Sequence, residues 1–102
     1  MNWRVVVRPE AGDDVEEAAT WYDERQPGLG SDFTEEILKV FDALELNPLL
    51  NCRRHPRKNI RWRYPERFPY RVIYEVREDE KRVVVAAVLH AARHDRQWQK
   101  RI

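Results

Sequence analysis

Apolar and polar residues follow their clearest pattern in the last third of the chain. Two apolar runs, Tyr70 to Val76 and Arg82 to His90, are separated by a charged link of five residues. Two runs of strand length joined by a short loop are typical of an antiparallel hairpin. The second run contains VVVAAVL, which is apolar on both faces. The pattern therefore predicts a hairpin whose second strand lies inside a sheet.

The N-terminal half has the spacing of two amphipathic helices. A short β-branched run at residues 3–8 predicts a strand, and it is followed by Pro9, which suits the first position of a helix. Apolar residues then recur at helical spacing to about Arg25, and again over residues 33–44. Between the two stripes, QPGLG at 26–30 predicts a turn, so the two helices form a helical hairpin.

Both ends of the second helix carry sequence signals. Ser31 or Asp32 can cap its start with a side-chain oxygen. At its end, Pro48 disfavours the helical conformation for Asn47, so the helix is expected to stop there.

The remaining residues predict one more strand and a tail. Residues 49–59 form a basic loop, and residues 60–64 alternate between apolar side chains and Arg, as an edge strand would. The tail after His94, DRQWQKRI, predicts one or two helical turns with Trp98 as an anchor. The order β-α-α-β-β-β plus a short C-terminal tail predicts an α+β domain with an N-terminal strand, a helical hairpin and a three-stranded antiparallel β-meander.

Length and composition fit one domain spanning residues 1–102. No apolar run approaches the length of about 18 residues that suggests a membrane span, and the N-terminus does not resemble a signal peptide. The single cysteine, Cys52, excludes an internal disulfide framework and fits a reducing compartment. We therefore expect a cytoplasmic protein that does not contact a membrane.

Charge is unevenly distributed along the chain. Residues 1–50 hold 4 Lys/Arg and 12 Asp/Glu, whereas residues 51–102 hold 15 and 6. The acidic half is explained by the solvated faces of two helices. The basic half, with seven Lys/Arg between Arg53 and Arg67, instead indicates a polyanionic or acidic partner.

The chain has no strong catalytic motif. With three glycines it has no phosphate-binding loop, and its three histidines lack the spacing of a metal-ligand set, so we expect no metal and no cofactor. What remains is a set of cationic side chains on the predicted strands and at the end of the last one. These are Arg61, Arg63, Arg71, His90, Arg93 and His94.

Two interpretations of this cationic set are open. If the side chains share one sheet face, His90 could act as acid or base and Arg71 could hold the phosphate in RNA cleavage by 2′-hydroxyl attack. In the structural alternative, Arg71 pairs with a carboxylate such as Glu75, and His90 only ends a strand. The role of the aromatic residues among these arginines is also open. Trp62 could stack on nucleic-acid bases, whereas Tyr70 and Tyr74 are expected to pack in the hydrophobic core.

Three segments together resemble the RelE/ParE superfamily of bacterial toxins. They are PEAGDDVEEAATWYDERQPGLGSDF at 9–33, YRVIYEV at 70–76 and VVVAAVLHAARHDRQW at 83–98. The first and third are typical of the ParE-like branch, often called plasmid-stabilisation proteins. The resemblance covers almost the whole chain and implies two helices on a curved antiparallel sheet.

The resemblance implies a toxin of a type II toxin–antitoxin module, neutralised by a cognate ParD-like antitoxin. ParE-like members inhibit DNA gyrase by protein contact, whereas RelE-like members cleave mRNA on the ribosome. Arg71 matches an Arg position of both branches, and no tyrosine follows His90, which departs from the nuclease pattern. A third possibility is a diverged, non-toxic member that only binds antitoxin.

We therefore predict a ParE-like gyrase inhibitor, with RNA cleavage by Arg71, His90 and Arg93 as the alternative. The residues predicted to bind antitoxin or target are Trp21, Arg61, Trp62, Arg63, Arg71 and Trp98. An acidic amphipathic antitoxin segment would match the charge of the arginines among them.

Overall fold

The computed structural model describes residues 2–92 and 96–101. The strands are β1 (Arg4–Val7), β2 (Arg53–Arg54), β3 (Ile60–Arg63), β4 (Tyr70–Arg77) and β5 (Arg82–His90), and the helices are α1 (Pro9–Arg25), α2 (Leu29–Leu46) and α3 (Arg96–Gln99). This order confirms the predicted α+β fold and adds the two-residue strand β2 inside the basic loop. Within the described ranges, no helix has both the length and the apolar character needed to cross a membrane.

The helical hairpin begins as predicted, but the connection between its two helices is shorter than predicted. Pro9 is the first residue of α1, and the helix stops at Gln26, whose backbone is extended. The second helix starts at Leu29, before the predicted caps, because Gly28 adopts φ 90°, a left-handed conformation that glycine tolerates best. The prediction of Ser31 or Asp32 as the cap is therefore wrong.

A side chain of α1 caps α2 instead. Gly30 donates its backbone N–H to Asp23 Oδ1 over 2.7 Å. A carboxylate oxygen at a helix N-terminus accepts a hydrogen bond from a backbone N–H that would otherwise be unpaired, and its negative charge interacts favourably with the helix dipole. The cap therefore joins the two helices as well as starting the second one.

One mixed sheet of five strands carries the helices, in the order β1-β5-β4-β3-β2. The N-terminal strand β1 runs parallel to β5, and the other neighbours are antiparallel. Strand β5 has a neighbour on each side, which explains why its sequence is apolar on both faces. The pairing of β4 with β5 shifts between Ile73 and Tyr74, where Ala86 has no partner. Such an extra residue is a β-bulge.

Each face of the sheet carries its own hydrophobic cluster. On the helix side, Val72, Tyr74 and Val85 pack with the apolar faces of α1 and α2. On the outer side, Ile73 and Leu89 pack with Trp98 of α3, which is 1% exposed. The short C-terminal helix therefore covers part of the face that the helical hairpin leaves open, and the prediction of Trp98 as an anchor is confirmed.

Glu36 of α2 holds the loop before β4 through its carboxylate. Its Oε2 accepts a hydrogen bond from Lys39 Nζ and its Oε1 accepts one from the Arg67 N–H, each over 3.1 Å. These two hydrogen bonds, with the Lys39 bond contributing most, hold the pKa of Glu36 below its ordinary value of 4.5.

This lowered pKa predicts a contribution to stability that depends on pH. Because the carboxylate is favoured in the folded state, the contribution is complete above the ordinary pKa of 4.5 and is lost as pH falls through the lower folded value. The free energy of unfolding, measured with urea between about pH 3 and about pH 7, should therefore decrease less on acidification in Glu36→Gln than in the parent. Glu35→Gln, which changes an exposed neighbouring carboxylate, is the control and should show the same pH dependence as the parent.

Candidate functional site

The register of β3 divides its side chains between the two faces of the sheet. Arg61 lies opposite Tyr74 and Arg63 opposite Val72, so both arginines lie on the helix side, near the edge of the sheet. Trp62 lies opposite Ile73 and packs against the outer cluster. The prediction of one apolar and one cationic face for this strand is confirmed. Its prediction as an edge strand is wrong, because β2 pairs with β3 and forms the edge itself.

Arg71 and His90 lie on opposite faces of the sheet. Tyr70 is the direct partner of His90, and their ring centroids are 5.3 Å apart on the helix side. Arg71 is the partner of Leu89, which belongs to the outer cluster. The expectation that these two cationic side chains converge on one face is therefore wrong.

The β-bulge at Ala86 is the physical reason for this separation. With the register that holds from Arg77 to Tyr74, residue 90 would lie opposite residue 69, on the same face as Arg71. The extra residue shifts the pairing by one, and side chains alternate with period 2, so every later side chain of β5 changes face. The bulge thus moves His90 to the helix side.

Arg71 and His90 lie in different surroundings. Arg71 is 8% exposed, with Cζ 6.0 Å from the centroid of the half-buried Trp62 ring. His90 Nδ1 accepts the N–H of Ala92 over 3.0 Å, which closes the turn directly after β5. The Glu75 carboxylate, considered as a partner for Arg71, accepts a hydrogen bond from Arg77 Nε over 2.7 Å. Arg93 and His94, the other cationic residues predicted here, lie outside the described residues.

A groove of about 820 Å³ lies between α1 and the end of β5. Its walls combine carboxylates of α1, including Asp13 and Glu17, with the rings of Trp21, Tyr70 and His90. Trp21 is 48% exposed, and the Arg25 guanidinium lies 3.6 Å from its ring centroid. The groove is therefore acidic and partly aromatic, unlike the basic edge of the sheet.

The residues predicted to bind partners are spread over separate places. Trp21 lies in the acidic groove, Arg61 and Arg63 lie at the helix-side edge, and the rest lie on the outer face. Trp98 is buried there and exposes almost none of its indole. Their roles in binding stay predictions.

Sequence reasoning missed the groove, although a signal for it was present. Asp13, Glu17 and Trp21 recur every four residues, which places them on one stripe of α1. Tyr70 packs against the core, as predicted, and it also lines the groove.

The chain matches a known family over most of its length. A family profile described as "ParE toxin of type II toxin-antitoxin system, parDE" matches residues 5–95. The chain belongs to the ParE toxin family. Comparison with curated protein sequences gives no match.

Two solved structures show that the ParE fold is shared with this chain. The chromosomal ParDE system of P. aeruginosa contains a chain with a TM-score of 0.75 at 14% identity, covering 86% of this chain and 95% of that one. The RelBE2 toxin–antitoxin complex of Mycobacterium tuberculosis gives a TM-score of 0.61 at 20% identity, covering 88% and 99%. Both similarities support the α+β fold of a ParE or RelE toxin.

The described part of this ParE-family chain contains no cluster of three or more His, Cys, Asp or Glu side chains arranged to hold a metal ion. Its one cysteine, Cys52, is half-buried, and its Sγ accepts a hydrogen bond from Arg61 over 3.6 Å.

Proposed function

We propose that this ParE-family toxin inhibits growth by binding DNA gyrase through protein contacts, and that a cognate ParD-like antitoxin holds it inactive. The observation that carries the choice of a non-hydrolytic toxin is the placement of Arg71 and His90 on opposite faces of the sheet. The choice of gyrase follows from the resemblance to ParE-like toxins.

RNA cleavage by Arg71 together with His90 would require a different arrangement. Attack by a 2′-hydroxyl needs a base or acid and a cation that contact the same phosphate. A phosphate bound against Arg71 on the outer face would be separated from His90 by the sheet itself. The His90 ring is also engaged, since Tyr70 packs against it and Ala92 donates to its Nδ1.

Expression of the chain without antitoxin tests the proposal. Messenger RNA integrity and gyrase-linked DNA cleavage should be measured in the same cells. We expect cleaved DNA and intact message. Fragmented message with undamaged DNA would overturn the gyrase proposal in favour of a ribonuclease, and normal growth would overturn toxicity altogether.

The variant His90→Ala gives a sharper prediction. Because His90 closes a turn and has no catalytic role in this proposal, the variant should retain most of the growth inhibition. A general acid or base would account for a rate factor of about 100- to 10,000-fold, so its removal from a ribonuclease would abolish toxicity. Growth curves at matched protein levels distinguish the two results, and Glu35→Ala on the exposed surface of α2 is the neutral control.

An antitoxin partner is supported by the family and by the charge of the sheet edge. The structural neighbours come from a ParDE system and a RelBE2 toxin–antitoxin complex. Arg61 and Arg63 form no ion pair within residues 2–92 and 96–101, so they retain charge for an acidic antitoxin segment.

Charge reversal at these two arginines tests the antitoxin contact. Arg61→Glu combined with Arg63→Glu should weaken antitoxin binding and reduce its dependence on salt, because opposite charges at the contact become like charges. Titration of the purified antitoxin at low and high salt measures both effects. Unchanged affinity and unchanged salt dependence would place the antitoxin elsewhere on the toxin.

A further inference from the structure

The basic loop forms a cationic tip at the edge of the sheet. Strand β2 pairs with β3, placing Arg53 opposite Trp62 and Arg54 opposite Arg61. The turn between the two strands carries Arg57 and Lys58. We define the cationic tip as the four exposed residues Arg53, Arg54, Arg57 and Lys58.

The tip is held in a defined shape by its own hydrogen bonds. His55 Nδ1 accepts the N–H groups of both Arg57 and Lys58 over 3.1 Å. The His55 N–H donates to the Ile60 carbonyl over 2.8 Å, and the Asn59 side chain donates to the carbonyl of Val76 in β4. The backbone that presents the four cations is therefore ordered before any partner arrives, which reduces the entropic cost of binding.

No carboxylate of the neighbouring sequence balances this charge. The chain has no Asp or Glu between Glu45 and Glu66. None of the four tip residues forms an ion pair with any described residue, whereas Lys39, Arg77, Arg82 and Arg101 each do. Like charges on neighbouring residues repel one another unless an external anion binds them.

We propose that the cationic tip binds the phosphate backbone of duplex DNA. Residues 53–59, RRHPRKN, contain no large apolar side chain. A protein partner would find none of the aromatic or aliphatic anchors that dominate the energy of protein interfaces. A polyphosphate needs only the cations, because binding is driven by the release of its counterions.

The surroundings of the tip favour a duplex over single-stranded RNA. Single strands are held largely by stacking of unpaired bases on exposed aromatic rings. Near the tip, Trp98 is buried, and Trp62 is half-buried with Arg71 beside its ring. The exposed ring of Tyr64 follows the other end of β3, away from the turn. Residues 53–59 contain one aromatic ring, that of His55, and its Nδ1 is engaged in the turn. Duplex DNA, with its bases stacked inside and its phosphates outside, matches this surface.

The inference goes beyond the proposed function, because it assigns a DNA contact to the toxin itself and is tested without gyrase. Fluorescence anisotropy of a labelled duplex of about 20 base pairs should give a dissociation constant of about 10⁻⁴ to 10⁻⁶ M for the full chain at physiological salt. With up to four phosphates contacted, the slope of log affinity against log salt should be about −3 to −4.

A matched pair of variants locates the contact. Replacing all four tip residues by Gln should abolish most of the binding and reduce the slope to near zero. The control variant replaces four exposed cations elsewhere, Arg4, Lys39, Lys81 and Lys100, by Gln and loses the same net charge. It should keep the slope within about one unit. Thermal unfolding checks that both are folded, and the single change Arg57→Gln, which should reduce the slope by about one, replaces the fourfold variant if that one does not fold.

Three results would overturn the inference. Equal loss of binding in the tip variant and the control variant would show that only net charge attracts the DNA. Tighter binding of a single-stranded RNA of the same length would assign the tip to RNA. Competition by polyglutamate as effective as competition by DNA, at equal charge concentration, would assign it to an acidic protein.

Discussion

The change Gly30→Ala is expected to lower the free energy of unfolding by about 3 kcal/mol. A Cβ at this position would lie 2.3 Å from the Ala19 carbonyl oxygen and 2.7 Å from the Asp23 carboxyl carbon. The first contact is with the backbone of α1, which can move only if the helices separate. The second is with the side chain that caps α2, so relief of the clash also breaks the cap.

The expected loss has two physical parts. Forcing an extra carbon into a packed interface typically costs about 1–3 kcal/mol. Losing a side-chain cap typically costs about 1 kcal/mol. Urea unfolding of the two proteins measures the sum directly, and an unchanged slope of free energy against urea would confirm that the native state remains compact.

Gly12→Ala is a control that is expected to change the free energy of unfolding in the opposite direction. Gly12 also lies in a helix, but nothing lies within 4 Å of the position of its Cβ. Alanine is a better helix former than glycine, so this variant should gain about 0.5–1 kcal/mol. A small effect of the same sign at both positions would show that the close approach at Gly30 does not limit helix packing.

The extents of the main elements could be predicted because each has a local signal. Pro9 marks the start of α1 and Pro48 follows the end of α2, and both positions are confirmed. Strand β5 covers Arg82–His90 as its apolar run indicated. The cap of α2 could not be predicted, because Asp23 reaches it from another helix and local rules consider only neighbouring residues.

The arrangement of the candidate site depended on one residue that leaves no clear sequence signal. The run Val85-Ala86-Ala87-Val88 is apolar throughout, so nothing in it indicates which residue is left without a partner. A bulge there reverses the face of every later side chain of β5. The sequence alone therefore provided the residue types of the cationic set but could not establish that Arg71 and His90 are separated.

The sequence alone, in contrast, shows which half of the chain is acidic and which half is basic. The acidic half contains both α1 and α2, and carboxylates of α1 line the groove with Trp21. The basic half forms the sheet edge and the cationic tip, whose residues are exposed. The sequence could not show that these regions are separate surfaces, because that depends on the tertiary fold.

The change Asp14→Ala is expected to cost about 3 kcal/mol of stability, because Asp14 joins three parts of the fold. Its Oδ2 accepts a hydrogen bond from Arg101 over 2.7 Å and one from the backbone N–H of Val88 over 3.0 Å. Its Oδ1 accepts a second bond from Arg101 over 3.2 Å. The side chains of Asp14 and Arg101 are 11% and 19% exposed, so solvent screens the pair only weakly.

Replacing Asp14 by Ala would leave two donor residues, Val88 and Arg101, without the carboxylate that accepts their hydrogen bonds. The Val88 N–H lies beyond the end of β1, which pairs with β5 only as far as Val85, so no neighbouring strand replaces the carboxylate. Arg101 would keep its bond to the Ala86 carbonyl but lose the carboxylate that raises its pKa. Removal of one partner of a largely buried ion pair is costly because the remaining charge stays desolvated.

The pair also attaches the C-terminal segment to the rest of the molecule. Arg101 donates its N–H to the Trp98 carbonyl, and Trp98 covers the outer cluster of the sheet. Asp14→Ala should therefore loosen Trp98, and the near-ultraviolet circular dichroism of the tryptophans should weaken before the helices unfold. Asp13→Ala, at an exposed neighbouring carboxylate, is the control and should change stability by no more than about 0.5 kcal/mol.

A double-mutant cycle isolates the contribution of the pair from the other bonds of Asp14. The cycle compares Asp14→Ala, Arg101→Ala and the combined variant by urea unfolding. Because the two side chains share two hydrogen bonds, we expect a coupling energy of about 1–3 kcal/mol, with the combined variant less destabilised than the sum of the single variants. Additive effects would mean that Asp14 stabilises the fold through Val88 alone. The C-terminal segment would then have to be held on the sheet by the burial of Trp98.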